Sequence, residues 1–184
     1  MTDKTPAADS LRLGDALTLP LRVSDLSARG GASFRLTPTT EARAELAADL
    51  GVQRIRKLEF RGTLTAEGRH DWRLDGVLGA TVVQACIITA EPVTTRIDQP
   101  VTRRFLRDLP EPTGPEAEIP EDDTLEPLGS VIDPGAVMAE ALALALPDYP
   151  RAPGAEWPDS TGTDPADERP NPFAALAALK RNPE

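Results

Sequence analysis

KLEFRGTLT, at residues 57–65, is the stretch that decides the fold. Small or apolar residues alternate with polar ones along it, so that Leu58, Phe60, Gly62 and Leu64 share one side. A period of two gives a strand one face on a core and one face in water, which is typical of an antiparallel sheet. The same phase continues over residues 72–89, where Gly76 and Gly79 predict bulges or bends in one long strand or in two.

Further strands are predicted on both sides of this stretch. Apolar residues alternate with polar or neutral ones over residues 17–24, and a short extended piece follows at residues 33–36. Residues 95–106 complete a meander in which Pro100 requires an edge strand or a break. These segments predict an α+β fold with a curved antiparallel sheet or a partial barrel over residues 17–107.

Two helices are predicted to pack on this sheet, each opened by a capping residue that is followed by proline. Thr37 caps a helix over residues 38–50, and Asp133 caps a helix over residues 134–146. A proline in the first helical turn is tolerated because that amide has no partner within the helix. Both helices carry an apolar stripe that favours burial against a sheet.

A third start of the same kind precedes a short helix predicted over residues 172–180. Its apolar side chains are Phe173, Leu176 and Leu179. Because so short a helix is unstable alone in water, these three residues are predicted to dock. The protein's own sheet and a separate partner are both open as the docking surface.

Length and composition predict one domain. The chain has 184 residues, of which we assign 1–16 to a flexible N-terminus, 17–150 to the α+β domain and 151–184 to a proline-rich tail. No stretch is apolar enough for a membrane helix, and the N-terminus lacks the pattern of a signal peptide, so we expect a soluble cytoplasmic protein. The lone Cys86 excludes an internal disulfide.

Charge divides the chain into two parts of opposite character. Residues 1–107 hold 16 Lys and Arg against 13 Asp and Glu, whereas residues 108–184 hold 4 against 17. Residues 108–129 alone contain eight acids and five prolines with little to bury, which predicts a mobile acidic loop. The net charge of -10 argues against a generally basic nucleic-acid binder, although the first part is basic.

The best candidate contact surface is a set of basic residues on the predicted strands. We expect them to form one patch if their strands are neighbours on an open face, and this patch would meet rRNA or a partner. As ordinary solvated charges they would need no function. The set comprises Arg54, Arg56, Lys57, Arg61, Arg103, Arg104 and Arg107.

Catalytic and metal chemistry have little support in the sequence. His70 is the only histidine and lies at a predicted turn, far from any candidate nucleophile. Asp71 and Asp75 are better read as solvated charges than as a catalytic pair. Cys86 has no second ligand nearby and is read as a core thiol in a strand. With no nucleotide-binding or hydrolase motif, we expect neither an enzyme nor a cofactor or metal.

Three stretches together resemble the YceD (DUF177) family of cytoplasmic bacterial proteins. They are VQACIIT at residues 83–89 with Glu91-Pro92-Val93, then residues 132–154, and finally NPFAAL at residues 171–176 ending in Leu179-Lys180. The resemblance spans roughly residues 17–180 in order and spacing. Many relatives carry a Cys-x-x-Cys pair where this chain has Cys86 and Thr89, so the resemblance implies no metal or redox role here.

The resemblance implies a role in accumulation of large-subunit ribosomal RNA. We therefore expect a non-catalytic factor for large ribosomal subunit biogenesis and 23S rRNA accumulation, with the basic residues near rRNA or a pre-ribosomal particle. The alternative is an acidic chaperone or adaptor that holds a basic ribosomal protein without touching RNA. A salt-dependent shift of rRNA by the pure protein would separate the two.

Overall fold

A computed structural model describes residues 11–14, 16–109 and 124–157. The chain divides into a unit of residues 1–153 and a second unit of residues 154–184, of which only 154–157 are described. Eight strands and three helices form within the described part of the first unit. The strands are β1 Leu11–Gly14, β2 Leu21–Arg22, β3 Gly31–Leu36, β4 Arg54–Glu67, β5 Asp71–Ala85, β6 Pro92–Leu106, β7 Leu125–Pro127 and β8 Val131–Ile132. The helices are α1 Val23–Arg29, α2 Thr40–Asp49 and α3 Pro134–Ala145.

Six of the strands form one open sheet in the order β1-β3-β4-β5-β6-β7. The outer pairs β1–β3 and β6–β7 are parallel, and the pairs between them are antiparallel. Strands β2 and β8 form a separate two-stranded sheet. The predicted α+β class and antiparallel meander are confirmed, and the sheet is not closed into a barrel.

The inner face of the long hairpin β4–β5 builds the core. Phe34 and Phe60 pack with ring centroids 5.1 Å apart, and Gly62 lies opposite Gly76 beneath them. A Cβ on Gly76 would lie 2.7 Å from the Phe60 ring. Gly76 and Gly79 were predicted as bulges or bends, but the register is unbroken at both. Gly76 instead makes room for an aromatic ring.

Two of the helices lie where the sequence predicts them. In α2 the capping residue is Thr39 rather than Thr37, since the Thr39 hydroxyl accepts the Ala42 amide hydrogen at 3.2 Å. In α3 the Asp133 carboxylate accepts the Gly135 amide hydrogen at 2.8 Å, which confirms the predicted cap. Asp133 also accepts the amide hydrogen of Leu19 at 2.7 Å, and so ties the start of α3 to a distant segment.

The prediction of a strand over residues 17–24 is wrong. Only Leu21 and Arg22 are in a strand, and the chain turns into α1 at Val23. Leu26 on α1 is buried, and Gly30 ends the helix in the left-handed conformation with φ 75°. The described residues therefore hold three helices rather than the two predicted to pack on the sheet.

Two predicted flexible segments contain strands. Residues 11–14, assigned to a flexible N-terminus, form β1 beside β3. Residues 125–127, assigned to the acidic loop 108–129, form β7, because backbone groups next to them bond to the end of β6. Residues 110–123 and the helix predicted over residues 172–180 lie outside the described residues. None of the helices in the described ranges combines the length and apolar character needed to span a bilayer.

Substitution of the inner-face glycines tests this packing. A Cβ on Gly62 would collide with the carbonyl oxygen of Asp75, which belongs to the strand backbone and cannot rotate away. We expect Gly62→Ala to lower the free energy of unfolding by about 1–3 kcal/mol in urea titrations. Gly79→Ala on the outer face is the matched control, because its Cβ would meet the ends of two side chains, Arg96 at 3.0 Å and Asp98 at 3.4 Å, and no backbone atom among its nearest neighbours. Equal losses in the two variants would contradict the packing described.

Candidate nucleic-acid interface

The outer face of the sheet carries a row of ion pairs across the central strands. Arg35 on β3 pairs with Glu59 on β4 at 3.0 Å. On β6 the Nε of Arg96 donates to the carboxylate of Asp98 at 2.6 Å. Gly79 on β5 lies between these pairs, opposite both Glu59 and Asp98, and its missing side chain leaves room for the Arg96 guanidinium. These arginines are therefore already neutralised by neighbouring carboxylates.

A β-bulge near the start of β4 changes what this edge of the face presents. The register shifts between Ile55 and Lys57, so that Arg56 is an extra residue without a partner on β5. Ile55 and Leu58 are both buried although they are three residues apart. Arg56 and Lys57 are adjacent in the sequence, and both are exposed because the bulge takes up one residue. Strict alternation would have turned one of them inward.

Helix α2 adds a further cation between two depressions in the surface. One depression, of about 420 Å³, is lined by Arg43, Lys57 and Arg61, and the other, of about 700 Å³, by Arg43, Arg54 and Arg56. Arg43 is common to both, so the depressions adjoin. We call the cations Arg43, Arg54, Arg56, Lys57 and Arg61 the basic surface.

Four cations of the basic surface are not neutralised by ion pairs within the described part of the chain. Arg54, Arg56, Lys57 and Arg61 make no ion pair there, in contrast to the paired Arg35 and Arg96. Arg43 donates from Nη2 to the Thr40 hydroxyl at 3.2 Å, whereas its Nε is shielded from solvent and has no acceptor among the described residues. An unpaired buried donor is costly.

The seven predicted contact residues do not form one patch. Strand β5 lies between β4 and β6, and the register places Thr81 between Lys57 and Arg96. Arg104 lies eight residues beyond Arg96, roughly 27 Å at about 3.4 Å per residue. The arginines near the end of β6 are thus at the opposite end of the sheet from Lys57. The patch was predicted on the assumption that the strands were neighbours, and that assumption is wrong.

Arg103 lies on the other face of the sheet. It pairs with Glu126 at 3.1 Å and with Glu140 on α3 at 3.6 Å, and its side chain is only 13% exposed. Burial, and then the nearby Glu140 carboxylate, raise the pKa of Glu126 despite the opposing charge of Arg103. Arg103 therefore fastens α3 and β7 to β6, and reversing it to Glu would place three carboxylates together. It is not a surface position at which charge can be reversed without affecting the fold.

Arg104 and Arg107 are also engaged locally. Arg104 donates to Glu67 at 2.9 Å. The backbone amide of Arg107 donates to Asp71 at 3.0 Å, and its guanidinium lies 3.4 Å from the Nδ1 of His70. His70 is exposed in the turn between β4 and β5, as the sequence predicts. It lines a separate depression of about 560 Å³, and in the described part of that depression no nucleophile is in hydrogen-bond contact with it.

Cys86 lies in the turn after β5 rather than in the predicted strand. It is buried, with 3% of its surface exposed, and its sulfur accepts amide hydrogens from Ile88 and Thr89 at 3.4 Å and from Ala152 at 3.3 Å. Hydrogen bonds from Thr89, and then from the Ala152 amide, lower the pKa of Cys86 to about 7. The thiol thus ties this turn to the segment after α3. Within the described residues, no group of three or more His, Cys, Asp or Glu is placed to hold a metal.

Sequence reasoning identified four of the five cations in the basic surface and missed Arg43. That residue was assigned to a helix but not to the face turned toward β4, because the stripe of α2 alone does not show how the helix is rotated on the sheet. Leu46 and Ala47 are its buried residues, and Arg43 lies one turn before Ala47. The docking residues Phe173, Leu176 and Leu179 lie outside the described part of the chain.

Comparison with known proteins places part of the chain in a family. The protein family described as large ribosomal RNA subunit accumulation protein YceD matches residues 74–180. The match begins within β5 and includes β6, β7, β8 and α3. Four strands and the basic residues from 43 to 61 precede it. Among curated proteins and solved structures, none matches the chain.

The lowered pKa of Cys86 predicts a pH-dependent contribution to stability. Because the pKa falls from 9.0 in the unfolded chain to about 7 in the fold, the thiolate stabilises the fold fully above the unfolded value. This contribution is lost as the pH falls through the folded value. We expect the free energy of unfolding of the native chain, minus that of Cys86→Ala, to rise between about pH 6 and about pH 9 in urea titrations under reducing conditions. A difference that does not change over this range would contradict the hydrogen-bonded thiol, and Cys86→Ser provides a non-titrating control.

Proposed function

The chain belongs to the YceD family of large ribosomal RNA subunit accumulation proteins, and on that premise we propose that it supports large ribosomal subunit biogenesis as a non-catalytic factor that contacts 23S rRNA. In this proposal the protein acts in the bacterial cytoplasm. The family match supplies the process, whereas the contact is inferred from the basic surface, which precedes the matched residues in the sequence.

The observation that carries the proposal is a set of unpaired cations on an acidic protein. The chain has a formal net charge of -10, so a basic area is not a consequence of overall composition. Arg54, Arg56, Lys57 and Arg61 nevertheless make no ion pair within the described residues. Lys and Arg that neutralise phosphates supply most of the non-specific affinity for nucleic acids. Such a surface favours RNA over a basic protein as its partner.

A non-catalytic role is supported by the chemistry of the same surface. Its two depressions are lined by cations and by apolar or neutral side chains, and the acids Glu59 and Asp98 that also line one of them are each paired with arginine. General acid or base catalysis needs a titrating group with a pKa near the working pH. Apart from these two paired acids, the charged groups in the described lining of the depressions are the guanidinium groups of arginine and the ammonium group of lysine.

Replacing three of these cations tests the proposed contact in cells that lack the native protein. We expect R54Q, R56Q and K57Q together to lower the ratio of 23S to small-subunit rRNA, and to reduce mature large subunits in gradient profiles, because three phosphate contacts are lost. The matched control is R22Q, R29Q and R151Q, which removes the same charge from exposed residues outside the basic surface.

Normal rRNA levels in cells with R54Q, R56Q and K57Q together, at equal protein abundance, would contradict the proposed contact with 23S rRNA. The acidic-chaperone alternative gives a different result. The protein would then recover a basic ribosomal protein after ribonuclease treatment, and both variants would support growth equally.

A further inference from the structure

From the composition of the basic surface we infer that it recognises the phosphate backbone of double-helical RNA rather than the bases of a single strand. This inference rests on the proposed function and specifies which form of rRNA the surface takes. It depends on which side chains line the two depressions, on how far the cations extend along β4, and on Arg43 between them.

Among the described residues, the basic surface lacks the side chains on which unpaired bases stack. No described residue that lines either depression is aromatic. In the described part of the chain, Phe34, Phe60, Trp72 and Phe105 are buried in the core. The exposed Tyr149 lines neither depression. Proteins that bind single strands without sequence preference combine a basic groove with aromatic side chains on which the bases stack. The described part of the basic surface has the cations but not the aromatic side chains.

The cations are spread too widely for a single phosphate or a mononucleotide. Arg54 and Arg61 lie opposite Val83 and Val77 on β5, six positions apart along the ladder, or roughly 20 Å at about 3.4 Å per residue. A helical nucleic acid presents a dense and regular array of phosphates over such a length. In A-form RNA the major groove is too deep and narrow for side chains to read, so proteins recognise the duplex by its shape and backbone.

Arg43 adds a donor at the junction of the two depressions. Its Nη2 is held by Thr40 at 3.2 Å, while its shielded Nε has no acceptor within the described residues. An arginine held in this way has its remaining donors oriented before the ligand arrives, which suits the oxygens of a phosphate. Arg56 lines one depression together with Arg43, and Lys57 lines the other. A contact of this kind depends on phosphate positions and not on base identity.

The test compares two RNAs by fluorescence anisotropy with the purified full-length chain. One is a hairpin with a stem of about 16 base pairs, and the other is an unstructured oligouridine with the same number of nucleotides. Titrations at about 50 and about 200 mM salt give the dependence of the binding constant on salt. We expect the hairpin to bind roughly ten-fold more tightly, and R54Q, R56Q and K57Q together to reduce the salt slope by about 2–3. The control R22Q, R29Q and R151Q should keep the native slope.

Equal or tighter binding of oligouridine would overturn the inference, as would a native salt slope in the triple variant. Far-ultraviolet circular dichroism and the melting temperature establish that each variant is folded, and R56Q alone, at a residue outside the β4–β5 ladder, gives a smaller change of the same sign. If oligouridine binds better while cells with the triple variant still lose 23S rRNA, the proposed function stands and the inference fails. If the hairpin binds as expected while those cells keep normal rRNA, the proposed function fails.

Discussion

The register between β4 and β5 is the constraint on which the rest of the structure depends. Gly62 lies opposite Gly76 in the middle of this pair, and the absence of side chains there lets the Phe34 and Phe60 rings pack on the sheet. A slip of one residue would move every core side chain of β4 to the solvent face, so the buried aromatic pair holds the register in place. The shift at Ile55 and Lys57 is a local exception that leaves the rest of the register intact.

The same constraint determines the surface chemistry. On the outer face, cross-strand and same-strand carboxylates pair with Arg35, Arg73 and Arg96. Exposed pairs of this kind contribute little to stability, so their main effect is to cancel charge. The bulge lies beyond these pairs and presents Arg56 and Lys57 without such partners. Fold and proposed function are thus linked through one irregular position in a strand whose other face is the core.

Local patterns predicted much of this fold, and contacts between distant segments account for the rest. Alternation identified β4 and β5, and the Asp133 cap identified α3, because these signals reside in adjacent residues. Strand β7 escaped prediction because its pairing depends on the end of β6, some twenty residues earlier in the sequence. The contact patch failed for a different reason, since the predicted meander already places β5 between β4 and β6, and Lys57 and Arg104 therefore could not be neighbours. The spacing of Ile55 and Leu58, three residues apart in a strand, was the available signal for the bulge.

Chemical crosslinking of the native protein to RNA in growing cells with a bifunctional alkylating reagent, followed by mass spectrometry of the crosslinked peptides from immature large-subunit particles, locates the RNA on the protein surface. We expect adducts on peptides that carry Arg43, Arg54, Arg56, Lys57 or Arg61, with 23S rRNA as the attached strand. Adducts confined to the other end of the sheet near Arg104 and Arg107, or recovery of the particles with protein crosslinks alone, would contradict it.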